Sequence, residues 1–149
     1  MSKVKIFVSV LFLIVLIACN NDPEPINFGT DQCDHCRMKI MDKKYGAELI
    51  TKKGKVFKFD AAECMINYLK ENKTNQDDID RFLVIAVNDP GNFTNALTAK
   101  YLISPKLKSP MGENLSAFTN ENIAGEYLKQ YGGEIFIWED VKKKIASGD

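Results

Sequence analysis

The chain has one histidine, His35, one tryptophan, and no excess of either charge, with 20 Lys and Arg against 20 Asp and Glu in 149 residues. A lone histidine, with no nucleophile spaced to a base, leaves hydrolytic catalysis without support, so no enzyme is expected. Balanced charge gives no sign of the strongly basic face that a nucleic-acid partner requires. No apolar run reaches the roughly 20 residues of a spanning helix. The longest, Ile6 to Ala18, has 13 residues with Ser9 inside it, follows Lys3 and Lys5, and ends at Leu16-Ile17-Ala18-Cys19. A short apolar run behind a basic start, closed by a small residue before a cysteine, is a lipoprotein-type secretory signal. Residues 1–18 are therefore expected to be removed, Cys19 to carry lipid, and the domain to sit outside the cytoplasm on a bacterial membrane.

Removal of Lys3 and Lys5 leaves 18 cations against 20 acids, a net charge of −2. Residues 19–31 (CNNDPEPINFGTD) lack apolar periodicity and read as a tether, with one domain over 32–149. With Cys19 assigned to lipid, Cys33, Cys36 and Cys64 remain, and an odd set of thiols in an oxidising compartment cannot form a complete disulfide framework.

The patterning predicts an α+β fold. Tyr45 to Thr51 and Lys55 to Phe59 flank Lys52-Lys53-Gly54 as a hairpin, and Asp60 is placed to cap a helix from about Ala61 to Asn72. Phe82 to Val87 reads as a buried strand before Asn88-Asp89-Pro90-Gly91, with a further strand over 98–103. The two prolines in residues 104–110 make a loop leading to Met111-Gly112. After Leu115 to Phe118, Asn120 opens a helix to about Tyr131, Gly132-Gly133 closes it, and Glu134 to Trp138 makes a last strand before a charged terminal helix. Phe59, Tyr68, Leu69 and Lys70 repeat the spacing of Phe118, Tyr127, Leu128 and Lys129. The expectation is a single domain of two β-β-α-like halves sharing a mainly antiparallel sheet with helices packed on it. Asp77-Asp78-x-Asp80 lacks the glycine and closing Glu of a calcium loop and reads as a helix start or solvated turn. Lys142-Lys143-Lys144 reads as a solvated helix face.

Cys33-Asp34-His35-Cys36-Arg37-Met38-Lys39-Ile40-Met41 places two thiols and two thioethers within nine residues. Thiolate and thioether are polarisable donors that select Cu(I), whereas zinc wants four ligands and takes thioether poorly. Cys33, Cys36, Met38 and Met111 are the expected metal ligands. Cys64, Met65, His35 and Met41 are further candidates, with core packing as the plain alternative for Met65, Met41 and Cys64 and a solvated loop position for His35.

Cys33-x-x-Cys36-x-Met38, Tyr45-Gly46-Ala47-Glu48, Gly54, Phe59-Asp60 with Cys64-Met65, Met111-Gly112 and Gly132-Gly133 together resemble the NosL family. The resemblance spans nearly the whole mature domain and the lipobox. It implies a periplasmic lipoprotein that binds one Cu(I) and passes it towards nitrous oxide reductase, an enzyme of denitrification, beside an ABC-type membrane complex. Many members carry Gly after the second cysteine where this chain has Arg37, a residue for which positive φ is costly. The rival readings are a thiol-disulfide oxidoreductase using Cys33 and Cys36, and a structural zinc module. The motif does not open a helix, which disfavours the first, and a fourth good zinc ligand is missing, which disfavours the second.

Overall fold

The structure, a computed structural model, describes residues 21–72 and 74–148. The expected signal and Cys19 lie outside the described residues. Strand β1 (Ala47–Thr51) turns through Lys52-Lys53-Gly54 into β2 (Val56–Phe59). Gly54 takes φ 78°, a region open to glycine at little cost, and its N–H donates to the Thr51 carbonyl at 2.8 Å. Helix α1 (Ala62–Glu71) follows, then a 3-10 turn over Gln76–Asp78, β3 (Ile79–Ile85) and β4 (Phe93–Asn95). These strands form an antiparallel sheet in the order β2-β1-β3-β4.

The second half repeats the plan. Strand β5 (Lys100–Ile103), β6 (Leu115–Phe118), α2 (Glu121–Tyr131) and β7 (Glu134–Phe136) make a separate antiparallel sheet in the order β6-β5-β7. Helix α3 (Trp138–Ser147) closes the chain. In each half the first strand is central, and the spacing echo has a physical basis. Phe59 packs on Tyr68 at 5.2 Å between ring centroids and Phe118 on Tyr127 at 4.7 Å. The residues before the two helices, Ala61 (φ −155°, ψ 166°) and Asn120 (φ −156°, ψ 170°), share one conformation.

Several expectations are corrected. The halves do not share one sheet, because β4 occupies the outer edge of β3; the Val87 N–H to Ala117 carbonyl bond (2.9 Å) joins the halves outside the ladders. Asn120 does cap its helix, accepting from Ile123 N–H at 3.0 Å, but Asp60 does not cap α1, whose N-cap is Ala61 without a side-chain bond. The Asp60 carboxylate is buried facing the Met41 backbone N–H instead, and burial pushes its pKa up. Trp138 begins α3 rather than ending β7, because its ring fills the core between Phe82 (6.1 Å) and Tyr101 (5.8 Å).

The expected tether is also largely docked. Ile26 is buried in the core, Gly29 N–H donates to the Ile40 carbonyl (2.8 Å), and Glu24 N–H donates to Glu48 Oε1 (3.1 Å). Lys58, paired across the strands with Glu48, donates from Nζ to the Pro25 carbonyl and to Asp31 Oδ2, both at 2.9 Å, with Glu24 Oε2 at 3.5 Å. Residues 24–31 thus form a strap over β1 and β2, and the folded unit begins ahead of the expected boundary at 32.

Glu48 is fully buried, and burial, opposed chiefly by the Glu24 N–H, pushes its pKa up to about 7. A carboxyl that holds its proton more tightly when folded contributes stability that is whole below its ordinary value of 4.5 and is lost as pH rises through about 7. Glu48→Gln should therefore match the parent in thermal midpoint near about pH 5 and exceed it near about pH 8. A difference between the two proteins that does not change with pH would show that Glu48 ionises freely.

Candidate metal centre

The Cys33–Met38 turn is built by backbone bonds at its base. Cys33 N–H donates to the Met38 carbonyl (2.8 Å) and Arg37 N–H to the Cys33 carbonyl (3.0 Å), with a bridge between Gln32 and Lys39 below. Closure puts Arg37 at φ 65°, the conformation that glycine would take cheaply, so arginine holds the expected turn at a cost of about 1–2 kcal/mol. Its guanidinium lies 3.8 Å from Asp34 Oδ1. Asp34 ties the turn to the sheet, because Asp34 N–H donates to the Lys58 carbonyl and Lys58 N–H to Asp34 Oδ2, both at 2.8 Å.

This fastening brings the turn onto the start of α1, where Cys64 sits. The sulfurs of Cys33, Cys36 and Cys64 lie within 4.8 Å of one another, all as free thiols; Cys33 and Cys64 are buried and Cys36 is half-buried. Two sulfurs on one metal ion, each about 2.3 Å from it, stand at most about 4.6 Å apart. The cluster is therefore within a few tenths of an ångström of ligating distance, and three sulfur donors fit a soft ion. No further His, Cys, Asp or Glu joins this group among the described residues, so a closed four-ligand zinc site is not formed.

The thiols share their protons unequally. The Cys33 thiol is pulled down to about 5, first by the Cys64 thiol donating to its sulfur, against burial, with help from the backbone N–H groups of Asp60, Cys36 and His35. Cys64 is pushed far up by the same bond with Cys33, then by burial, and Cys36 is pushed up chiefly by burial. Of the three, Cys33 gives up its proton most readily and Cys36 and Cys64 hold theirs more tightly.

The other candidates separate. Met38 (49% exposed) and Met41 (64% exposed) line a groove of 410 Å³ with Lys39, Asp42, Asp60, Lys108, Ser109 and Pro110. Asp60 joins groove to thiols, its carboxylate lining the one and its N–H meeting Cys33 sulfur in the other. Met111 is half-buried against the core just beyond the groove's Pro110, and Met65 is wholly inside the core. His35 does not join the thiols; its Nε2 lies 3.1 Å from Glu71 Oε2 at the far end of α1. Sequence spacing put His35 between the cysteines, but the turn points its ring along the helix. Lys58 went unmarked in the sequence, where nothing separates it from any strand lysine.

Residues 25–146 match the NosL family model. The copper-binding lipoprotein NosL of Stutzerimonas stutzeri is 28% identical over 130 residues, covering 82% of this chain and 68% of that protein. The crystal structure of the copper chaperone NosL from Shewanella denitrificans superposes with a TM-score of 0.67 at 22% identity, covering 80% of this chain and 95% of that one. That likeness bears on the fold: the α+β arrangement of two antiparallel sheets and three helices is shared.

Two outcomes follow from the turn and its thiols. Arg37→Gly should raise the midpoint of urea unfolding by relieving the positive φ, a gain of up to about 1 kcal/mol after the added freedom of the unfolded chain; a lower midpoint would mean that the arginine side chain outweighs the strain. Cys64→Ala should return the Cys33 thiol from about 5 towards its ordinary range, read from the pH dependence of thiolate ultraviolet absorbance. An unaltered titration would remove Cys64 as its proton partner.

Proposed function

The chain belongs to the NosL family, and from that membership and its sulfur geometry we propose that it is a membrane-anchored metallochaperone whose cargo is Cu(I). The carrying observation is the convergence of Cys33, Cys36 and Cys64 within 4.8 Å. A thiolate at Cys33 offers the first ligand, and metal binding displaces the protons of Cys36 and Cys64. Three sulfurs leave a coordination position into which another protein's ligand can enter before the chaperone's own leave. Met38, in the groove beside the cluster, is placed to serve as an exchangeable thioether, and Met111 stands behind it; of the ligands expected from sequence, the two cysteines are retained and Cys64 joins them. His35, turned towards Glu71, is left out of this ligand set.

Carriage fits the burial pattern better than thiol-disulfide exchange. The thiol with the low pKa, Cys33, is the buried one, whereas an oxidoreductase exposes its reactive thiolate to an incoming disulfide. The relative in Stutzerimonas is a copper-binding lipoprotein, which supports lipid on Cys19 and a place on the periplasmic side of a bacterial membrane. The destination we propose is the maturation of nitrous oxide reductase, in company with an ABC-type membrane complex.

Anaerobic titration against a competing Cu(I) chelator should find one tight equivalent, with a sulfur-only ligand shell by X-ray absorption. Cys33→Ser combined with Cys36→Ser should abolish it, and Cys64→Ser alone should weaken it by roughly tenfold or more, about 1.4 kcal/mol. Unchanged affinity in the double variant would end this assignment. Cells lacking the protein should accumulate copper-deficient nitrous oxide reductase; a fully loaded enzyme there would redirect the cargo elsewhere.

A further inference from the structure

Exposed positive charge gathers at and beside the groove next to the thiols. Lys39 and Lys108 line it, and Arg37 immediately precedes Met38. Lys43 and Lys44 lie in the turn whose Tyr45 hydroxyl donates to the Lys108 carbonyl at 2.9 Å, which draws the 42–45 turn against the 104–110 loop carrying Lys106. All six side chains are exposed. Of these six, Arg37 alone has a carboxylate within 4.0 Å among the described residues, that of Asp34, so the five lysines keep their ammonium groups free for another molecule. The acids nearby offset part of this charge: Asp34 faces Arg37, Asp42 and buried Asp60 line the groove, and Glu113 is exposed, four carboxyl groups against six cations, which leaves the cations in excess. The chain as a whole has no net charge, so the excess is local to this face.

In the same groove stand the exposed thioethers of Met38 and Met41. An apolar, methionine-bearing centre inside a charged rim is the anatomy of a protein interface. We propose that this face docks an acidic protein surface that carries its own copper-ligating side chains; the proposal rests on the copper-carrier reading for its purpose but not for its charge. The lysines at and beside the groove oppose the free arrival of a metal cation and favour metal brought or taken on an anionic carrier. A lipid headgroup would satisfy the lysines but would present no ligating side chain to the methionines or thiols. In the transfer itself Cu(I) leaves thioether ligands for thiolates, the displaced thiol protons pass to water, and no electron moves.

The probes are two synthetic peptides with the same methionines, one spaced by Asp and Glu and the other by Asn and Gln. Loaded with Cu(I), the acidic peptide should transfer metal to the protein at least about tenfold faster at low salt, an advantage that shrinks as salt rises. The combined variant Lys39→Glu, Lys43→Glu, Lys44→Glu and Lys108→Glu should lose that advantage while keeping its Cu(I) affinity and thermal midpoint; the matching Lys→Gln set is the control should the reversed charges disturb folding. Without metal, the acidic peptide alone should shift the methyl resonances of Met38 and Met41 in the parent protein. This arm remains decisive if tight Cu(I) binding fails, so the two readings fail separately. Equal behaviour of the two peptides with the parent protein would overturn the proposal. So would charge-dependent binding to phosphatidylglycerol vesicles with no discrimination between peptides, which would assign the face to lipid.

Discussion

The Lys58 backbone accepts from the Asp34 N–H and donates to the Asp34 carboxylate, both at 2.8 Å, and from the same lysine the ammonium reaches Pro25, Asp31 and Glu24. The strand β2 therefore fastens the thiol-bearing turn with its backbone and the strap with its side chain. The Asp34–Lys58 pair adds to the burial of Cys33, Ile40 and Cys64 in one core and to the His35–Glu71 contact, and together they hold sulfurs from segments about 30 residues apart against the entropy of the chain. The fully buried carboxyl of Glu48, opposite Lys58 in the ladder, answers the desolvation cost of this place by holding its proton more tightly.

The two halves show what the site adds to a repeated plan. Cys64 stands where the second half has Ile123, each five residues beyond the repeated phenylalanine. Helix α2 opens with an ordinary asparagine cap, whereas α1 opens with uncapped Ala61 and spends the preceding Asp60 on the metal-side loop. The first half thus gives up a capping bond worth about 1 kcal/mol where its chemistry is located. A strained Arg37 in the same place follows the general pattern in which local energetic costs concentrate at functional sites.

Local signals carried the reading of the fold a long way. Asn120 and Gly132 punctuate α2 in the sequence as they do in the structure, and the Lys52-Lys53-Gly54 turn is equally plain. Strand β4 was hidden because Phe93–Asn95 is only three residues long within a turn-rich stretch, and Trp138 continues an apolar run whose period is interrupted only by tertiary packing. Sheet membership depends on pairings distant in sequence, so one shared sheet and two separate ones could not be told apart from strand patterns alone. At the site, sulfur count was legible while sulfur geometry was not. Met65 and Met38 look alike in sequence, yet helix α1 turns one into the core and the turn leaves the other at the groove.

The docked strap changes the mechanics of anchoring. A free tether over residues 19–31 would let the domain roam up to about 45 Å from its lipid. Instead Asn21 Nδ2 donates to Asp80 Oδ2 (3.2 Å) on β3, and the chain stays in contact with the domain from there onward. Were Cys19 to carry lipid, as proposed, it could lie at most about 7 Å along the chain from Asn21. For the lipid-anchored protein proposed above, such a short leash would make the membrane a near wall rather than a distant mooring. The domain would then tilt and spin about its anchor but hardly translate away from it, and the bilayer would help decide which way the groove faces when a partner of the proposed kind drifts alongside.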